Sequence, residues 1–441
     1  MNKVLYFVRY KQLKQQYPTN LKLFLQLKDE LEEYLTSRND EGDVSYQVLA
    51  HTYHDIGCLN ADNGDKTMAE MYFKECLELT KMRNIQTKVT SVYIGALLNL
   101  GNITDDNRKA LYFLTDAEKA YKEHKKSKQG ANHNKQKGIS EEDELYKGII
   151  ENLARVYKEL GIANMSAKYA YLTMKWSFEN KSYKSCDLSA LSAELSFFYI
   201  TRRNFKESRR YMAAANYFAD AFRNESNDAH LVEETFAYLS RQWTQYGLSL
   251  LIASRGRLDV GEHELLFGVK NIALDNEMPF LFSQLPLAKY EKKVTANYCT
   301  TLKDAKKVFS FVMKWLEKSQ QFYKSDTDLK TYAGVMTDFA KLYNLRSSFE
   351  NQLQNQIEMQ KISTKYFENL FPKLDPKTHI GILREGWYGA GQNICHIHIL
   401  ERRMMEENGD TLFINQDDDS AEEMIEHAIE YFHSLIDSFI E

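Results

Sequence analysis

The sequence predicts an all-α protein in which antiparallel helix pairs stack one upon the next. Three observations carry that expectation. With 441 residues, 43% apolar and 13% aromatic, the chain is long enough for two to three domain cores or one continuous stack of repeats. Its 5 prolines and 19 glycines leave little punctuation for the many short turns of an all-β or doubly wound fold. Small residues also recur at fixed intervals among large apolar ones, so that two helices approach closely where the small residue sits.

In chain order, the first copy of that pattern is Leu49-Ala50-x-x-Tyr53 with Gly57, followed on a second helix by Ala69, Phe73 and Cys76. A loop rich in Asn and Asp is expected between the two. The second copy, Leu100-Gly101 then Ala110, Leu114 and Ala117, has a shortened turn. The third, Leu153-Ala154-x-x-Tyr157, leads through Gly161 to Ser166, Ala170 and Thr173. The fullest is Leu195-Ser196-x-x-Tyr199, with Asn204-Phe205 at the turn and Ser208, Met212 and Ala215 beyond it. This is the tetratricopeptide pattern, and it predicts a right-handed tetratricopeptide-like α-solenoid. The copies start further apart than the usual spacing of about 34 residues, so helices or connections must be elongated.

Residues 125–138, KKSKQGANHNKQKG, lack apolar periodicity and read as a basic, solvated surface loop. After Asn224 comes one long amphipathic helix, with Leu231, Leu239, Trp243, Tyr246 and Leu250 near helical spacing and no evident partner helix. Pro279 and Pro286 interrupt residues 278–289, and helix resumes from Thr301 with Leu302, Ala305, Phe309 and Met313. The expected organisation is therefore an N-terminal repeat subdomain over 1–224, a linker helix and junction over 225–289, and a C-terminal helical subdomain over 290–441. Later helices are expected to end at Pro372 and Pro376. An acidic loop spans 406–423, including Asp417, Asp418 and Asp419, before a final amphipathic helix with Met424, Ile425, Ala428, Ile429, Phe432 and Ile436.

The 57 basic and 62 acidic residues give a formal charge of -5, which supplies no global field toward nucleic acid or an anionic membrane. Cys58, Cys76, Cys186, Cys299 and Cys395 are scattered without a CxxC pair, so neither a disulfide framework nor a zinc knuckle is expected. The apolar patch at residues 4–8 is too short for a secretory core and lacks a small-residue cleavage site, so no signal peptide is expected. The longest apolar run, near residues 248–253, is about a third of a membrane span. A cytoplasmic protein without membrane insertion follows, and the sequons at Asn102, Asn164, Asn180 and Asn224 read as incidental.

Chemistry-bearing motifs are weak. Cys395-His396-Ile397-His398 offers thiolate and imidazole, but residues two apart on a helix point about 200° away from each other, so no metal is expected. His51 and His54 lie three apart with no third ligand in a metalloprotease arrangement. Gly386, Gly389 and Gly391 follow no strand and precede no lysine and serine or threonine pair, so a helix crossing explains them better than a phosphate loop. No GxSxG, kinase-type catalytic loop or paired-carboxylate motif is present. No catalytic residue, cofactor or small-molecule substrate is expected; the concave face of the solenoid is the expected site.

The order of these motifs resembles the KIF-binding protein family, the kinesin-binding proteins, over residues 45–437. The stretches that carry it are NLGN at 99–102, NLARVYKELG at 152–161, LSFFYITRRNFKESRRYMAAANYF at 195–218, and Phe322-Tyr323-x-x-Asp326 with Asp338, Leu342 and Phe349-Glu350. The resemblance implies a curved solenoid in two subdomains joined by a long helix, for which residues 231–250 are the match. It implies binding to kinesin motor domains: the concave face grips the motor's tubulin-binding helix, keeps the motor off microtubules and so regulates transport without chemistry. Motor contacts are implied at Asn152, Arg155, Ser177 and Glu194. Family members continue through further helices beyond the last one here, so this chain is expected to be a shorter form or an incomplete gene product, with apolar surface on its last face. A second class of function stays open: a general tetratricopeptide adaptor or co-chaperone that captures a peptide carboxylate, for which Lys147, Arg155 and Lys158 lie near one repeat.

Overall fold

The computed structural model describes residues 3–16, 19–38, 43–129, 138–260, 278–407 and 419–440, and every regular element among them is helical. The chain divides into two compact units, Met1–Ser182 and Tyr183–Glu441. That division falls earlier than the expected boundary after residue 224. The physical reason is that the pair around Leu195 and Ala215 buries its apolar face against the long helix that follows it, in the second unit's core.

The first unit holds α1 (Lys3–Gln16), α2 (Leu21–Arg38), α3 (Asp43–Asp62), α4 (Lys66–Met82), α5 (Thr90–Ile103), α6 (Asn107–Gln129), α7 (Glu141–Glu159) and α8 (Ala163–Glu179). Helices α3 and α4, α5 and α6, and α7 and α8 form antiparallel pairs, and α5 also packs on α3 and on α7. The anticipated packing residues lie at these crossings. Leu49, Ala50, Ala69, Leu100, Gly101, Ala110 and Leu153 are buried. Tyr53, Ala154 and Tyr157 are half-buried: the Tyr53 hydroxyl donates to Glu32 at 2.7 Å, Ser166 donates to the Ala154 carbonyl at 3.0 Å, and Tyr157 stacks on Tyr169. A methyl at Gly101 would collide with Leu114, which is why the crossing needs glycine there.

Two loop expectations shorten in the structure. Helix α3 runs on through Asp62, leaving only residues 63–65 before α4, whose first turn Asp65 caps by accepting from Met68 N at 3.0 Å. Helix α6 runs on through Gln129, so the first lysines of the basic stretch are helical; residues 130–137 lie outside the described residues. Lys125 pairs with Asp143 at 2.7 Å and Lys128 with Glu142 at 3.6 Å. Those acids open α7, where Ser140 and Asp143 form a capping box, and Lys125, Tyr121 and Ser140 together hold the Asp143 carboxyl down to about 2 against the opposing effect of burial.

The second unit holds α9 (Ser185–Thr201), α10 (Phe205–Glu225), α11 (Ala229–Val260), α12 (Ala288–Glu291), α13 (Leu302–Phe322), α14 (Leu329–Ser347), α15 (Leu353–Glu368), a 3₁₀ turn (Phe371–Lys373), α16 (Pro376–Glu407) and α17 (Asp419–Asp437). Leu195, Ser196, Tyr199, Ser208 and Ala215 are all buried at the α9–α10 crossing, where the Ser196 and Ser208 hydroxyls bond at 2.8 Å. The long helix α11 is a core helix of this unit. Its missing partner is α13, from beyond residues 261–277, and Trp243 stacks on Trp315 across that crossing with ring centroids 6.2 Å apart. Each large side chain buried there contributes about 1.5–3 kcal/mol. Further pairs are α14 with α15 and α16 with α17.

Pro376 begins α16 instead of ending a helix. It occupies the first turn, where its missing N–H leaves no bond unmade, and Asp375 accepts from Lys377 N at 3.1 Å just before it. The acidic loop is narrower than expected, since α16 runs to Glu407 and α17 starts at Asp419; Asp417 and Asp418 lie outside the described residues. Added methyls at Gly386, Gly389 and Gly391 would strike the rings of Phe371, Phe367 and Phe432, so the three glycines serve helix crossings. On α17, Ile425, Ile429 and Ile436 are exposed.

Candidate partner-binding surface

In both units the first helices of successive pairs touch. In the first unit α3 meets α5 and α5 meets α7; in the second, α9 meets α11, α11 meets α14, and α14 meets α16. Second helices of neighbouring pairs do not pack on one another to that degree among the described residues. A layer that packs directly on itself is the closer-spaced one, so within each unit the stack bends toward its first helices.

The second unit's first-helix face is built chiefly on α9 and α11. Helix α11 is flanked by α9 and α14 in its own layer and backed by α10 and α13, so one side remains open. On that side Leu231, Tyr238, Gln245 and Ile252 recur every seven residues, a spacing that keeps them on one stripe. Tyr238 is 36% and Ile252 53% exposed. On α9, Asp187, Ala190, Glu194 and Phe197 form the solvent stripe, with Phe197 48% exposed. Burial, followed by the Glu194 charge, pushes the Tyr238 hydroxyl up to about 12. Among the described residues of this unit's helices, large exposed apolar side chains stand on α9, α11, α16 and α17 but not on α10, α13, α14 or α15. The face is thus apolar with an acidic edge, suited to an amphipathic helix carrying basic residues.

Of the residues anticipated as contacts, the structure brings Asn152 and Arg155 together on α7. Arg155 donates to Asn152 Oδ1 at 3.3 Å and to Glu159 at 3.1 Å, while Asn152 Nδ2 donates to the Gly148 carbonyl at 2.9 Å. Ser177 lies on the second helix α8 and is 4% exposed, away from the first-helix layer. Glu194 belongs to the second unit. Of the α11 stripe only Leu231 was named from sequence, and there as one face with Leu239, Trp243, Tyr246 and Leu250; those four are buried while Leu231 is 41% exposed, and the seven-residue period through Tyr238 and Ile252 was not singled out.

The buried side of the second unit explains other motif residues. Asp338, on α14, is 5% exposed and pairs with Arg241 of α11 at 3.5 Å, while Gln245 Nε2 donates to it at 3.1 Å. Gly334 leaves room for the Arg241 guanidinium, which lies 3.2 Å from where a methyl would stand. Burial pushes the Asp338 carboxyl up despite Arg241. Leu342 and Phe349 are buried, and Glu350 pairs with Arg346 beneath the surface. These residues hold helices together.

Chemistry elsewhere is limited. No group of three or more His, Cys, Asp and Glu that could hold a metal occurs among the described residues. His54 contacts Asp55 at 3.5 Å and Cys58 at 3.8 Å, and Asn99 reaches both His54 and Cys58. Yet His54 Nε2 lies 2.8 Å from where a methyl at Gly95 would stand, so the ring is seated on the α5 backbone with no space for a substrate at that nitrogen. His396 receives a hydrogen bond from Gln360 at 3.2 Å on the one nitrogen that faces it. The basic groups considered for a carboxylate clamp are engaged: Lys147 lies over Trp176 and 3.8 Å from Glu151, and Arg155 is paired as above. No described helix is long and apolar enough to cross a membrane.

Comparison with known proteins joins these features. The family model described as "KIF-1 binding protein C terminal" matches residues 186–441, the span that contains the α9 and α11 stripes. The KIF-binding protein of Drosophila melanogaster is 28% identical over 450 residues, covering 94% of this chain and 75% of that protein. That of Gallus gallus is 22% identical, covering 81% of this chain and 68% of its own, and that of Xenopus tropicalis 24%, covering 79% and 64%. With a family match across more than half its length, this chain belongs to the KIF-binding protein family.

Proposed function

We propose that this protein is a non-enzymatic, cytoplasmic partner of kinesin motor domains. It seats the motor's tubulin-binding helix on its first-helix face, so the motor cannot reach the microtubule, and in this way it regulates microtubule-based transport. The observation that carries the reading is the exposed stripe of Leu231, Tyr238 and Ile252 on α11, alongside Phe197 and Glu194 on α9, within the span that matches the family. An apolar face with an acidic edge complements an amphipathic helix that carries basic residues. Asn152 and Arg155 on α7 are proposed as motor contacts of the first unit, considered by itself. Inhibition requires occlusion only, with no bond made or broken and no cofactor, nucleic acid or membrane insertion.

The test is a landing assay on immobilised microtubules with fluorescent kinesin motor domains. Addition of the full chain should abolish landing of at least one motor. The Phe197→Glu/Ile252→Glu double variant should need at least ~10-fold more protein for the same effect, since central apolar anchors contribute about 1–2 kcal/mol or more each. Unchanged landing across the organism's kinesins refutes the reading.

A further inference from the structure

The second unit carries a surface of opposite character on its other layer. Helix α13 is a second helix, backed by α11 and α14. Its inward face is apolar, with Ala305, Val308, Val312 and Leu316 buried. Its outward face lines an open groove of about 1350 Å³ that also reaches Lys293 in the segment after α12. Lys303, Lys306, Lys307, Lys314 and Lys318 recur along this face at helical intervals, over about 22 Å at 1.5 Å per residue.

All six lysines are exposed, in a chain whose net charge is negative. Among the described residues only Lys307 has a carboxylate within ion-pair distance, Asp304 at 3.6 Å. One acid, Glu317, lines the groove. Six like charges with few counter-charges beside them repel one another, and the Lys318 ammonium is held below its usual value by desolvation and by the charges of Lys293 and Arg223. Between the lysines the floor is apolar, made by Leu302, Phe311 and the Trp315 ring, over which Lys318 sits at 4.3 Å.

We infer that this groove on α13 is a docking site for an acidic, extended segment of a partner protein, with apolar side chains among its acids. The length of the lysine row matches about six or seven residues of extended chain. The groove is larger than the usual small-molecule pocket of about 300–1,000 Å³. The apolar floor favours a peptide over a phosphate backbone or lipid headgroups, neither of which would bury apolar groups against Trp315. Because α13 lies in the second-helix layer, the site is separate from the first-helix face proposed for the motor.

The experiment uses the full chain and an octapeptide of six glutamates around two central phenylalanines, labelled with fluorescein and followed by anisotropy. Binding should be saturable and should weaken ~10-fold or more on raising salt from about 50 to about 300 mM. Lys306→Glu/Lys314→Glu should weaken it by at least ~10-fold, whereas Lys306→Arg/Lys314→Arg should retain it, and both variants should unfold as the parent does because these side chains are exposed. Replacing both phenylalanines by serine should weaken binding several-fold. Vesicles of phosphatidylcholine with phosphatidylserine and single-stranded oligothymidylate serve as the competing ligands. Absent peptide binding, equal binding by the charge-reversed variant, or lysine-dependent binding of vesicles or oligothymidylate in preference to the peptide overturns the proposal.

Discussion

Gly247 offers a test whose sign depends on where α11 sits. In an exposed helix, Gly→Ala stabilises by about 0.5–1 kcal/mol, because alanine loses less backbone entropy on folding. Here a methyl at position 247 would lie less than 3 Å from Val312 Cγ2, closer than real Cβ atoms approach, with Val308 Cγ1 at 3.7 Å. Val312 is buried and β-branched, so it has essentially one side-chain rotamer in a helix and cannot swing aside. Either α13 backs away or the Val312 backbone shifts, and such overpacking costs about 1–3 kcal/mol. The strain outweighs the propensity gain, so Gly247→Ala should destabilise the second unit by about 1–2 kcal/mol. Trp243 and Trp315, stacked at the same crossing, report it directly by fluorescence during urea unfolding. Gly256→Ala, on the same helix with nothing within 4 Å of the added methyl, is the control and should stabilise. Combining Gly247→Ala with Val312→Ala should cost less than the sum of the two single changes. If Gly247→Ala instead stabilises as Gly256→Ala does, α11 is a solvated linker and the packing argued above is wrong.

Two further outcomes concern buried charge. Asp338→Ala strips Arg241 of its carboxylate and should lower stability by about 2–3 kcal/mol, less than the about 3–5 kcal/mol of a fully buried pair because Arg241 keeps some contact with water. Asp338→Leu with Arg241→Met should recover most of that loss in the same urea assay. His51 is pushed down to about 4 by burial, with Lys14 and His54 adding to the effect and Asp55 opposing it. Its unfolded form takes up a proton near 6.5 while the folded form resists until about pH 4, so stability falls as pH drops through that window, by up to about 1.4 kcal/mol per unit. His51→Phe should flatten that slope, read from hydrogen exchange of α3; an unchanged slope would assign it to other groups.

Much of the fold was legible in the residues because tight helix crossings admit only small side chains. Leu49-Ala50, Leu100-Gly101, Leu153-Ala154 and Leu195-Ser196 announce helix pairs by local spacing, and each sits at the crossing it implies. The same reasoning told apart the glycines at 386, 389 and 391 from a phosphate loop, since local composition already lacked the strand and the lysine. The stripe on α11 and the lysine row on α13 were present as periodicities. Their meaning, however, depends on which side of each helix is left uncovered.

That choice is made by contacts between distant segments, and no local pattern encodes it. Helix α11 resembles a bare linker until α13, more than 40 residues away in sequence, covers its aromatic face. Ser177 resembles a groove residue until its helix proves to be the second of its pair, with the side chain turned inward. Arg241 and Asp338 have no visible link in sequence until the crossing at Gly334 brings them together beneath the surface. Side-chain size and spacing alone determined that the chain would build helix pairs and where they would cross. Which faces remain open to a partner was decided only in three dimensions, because exposure is a property of the neighbours a residue acquires on folding.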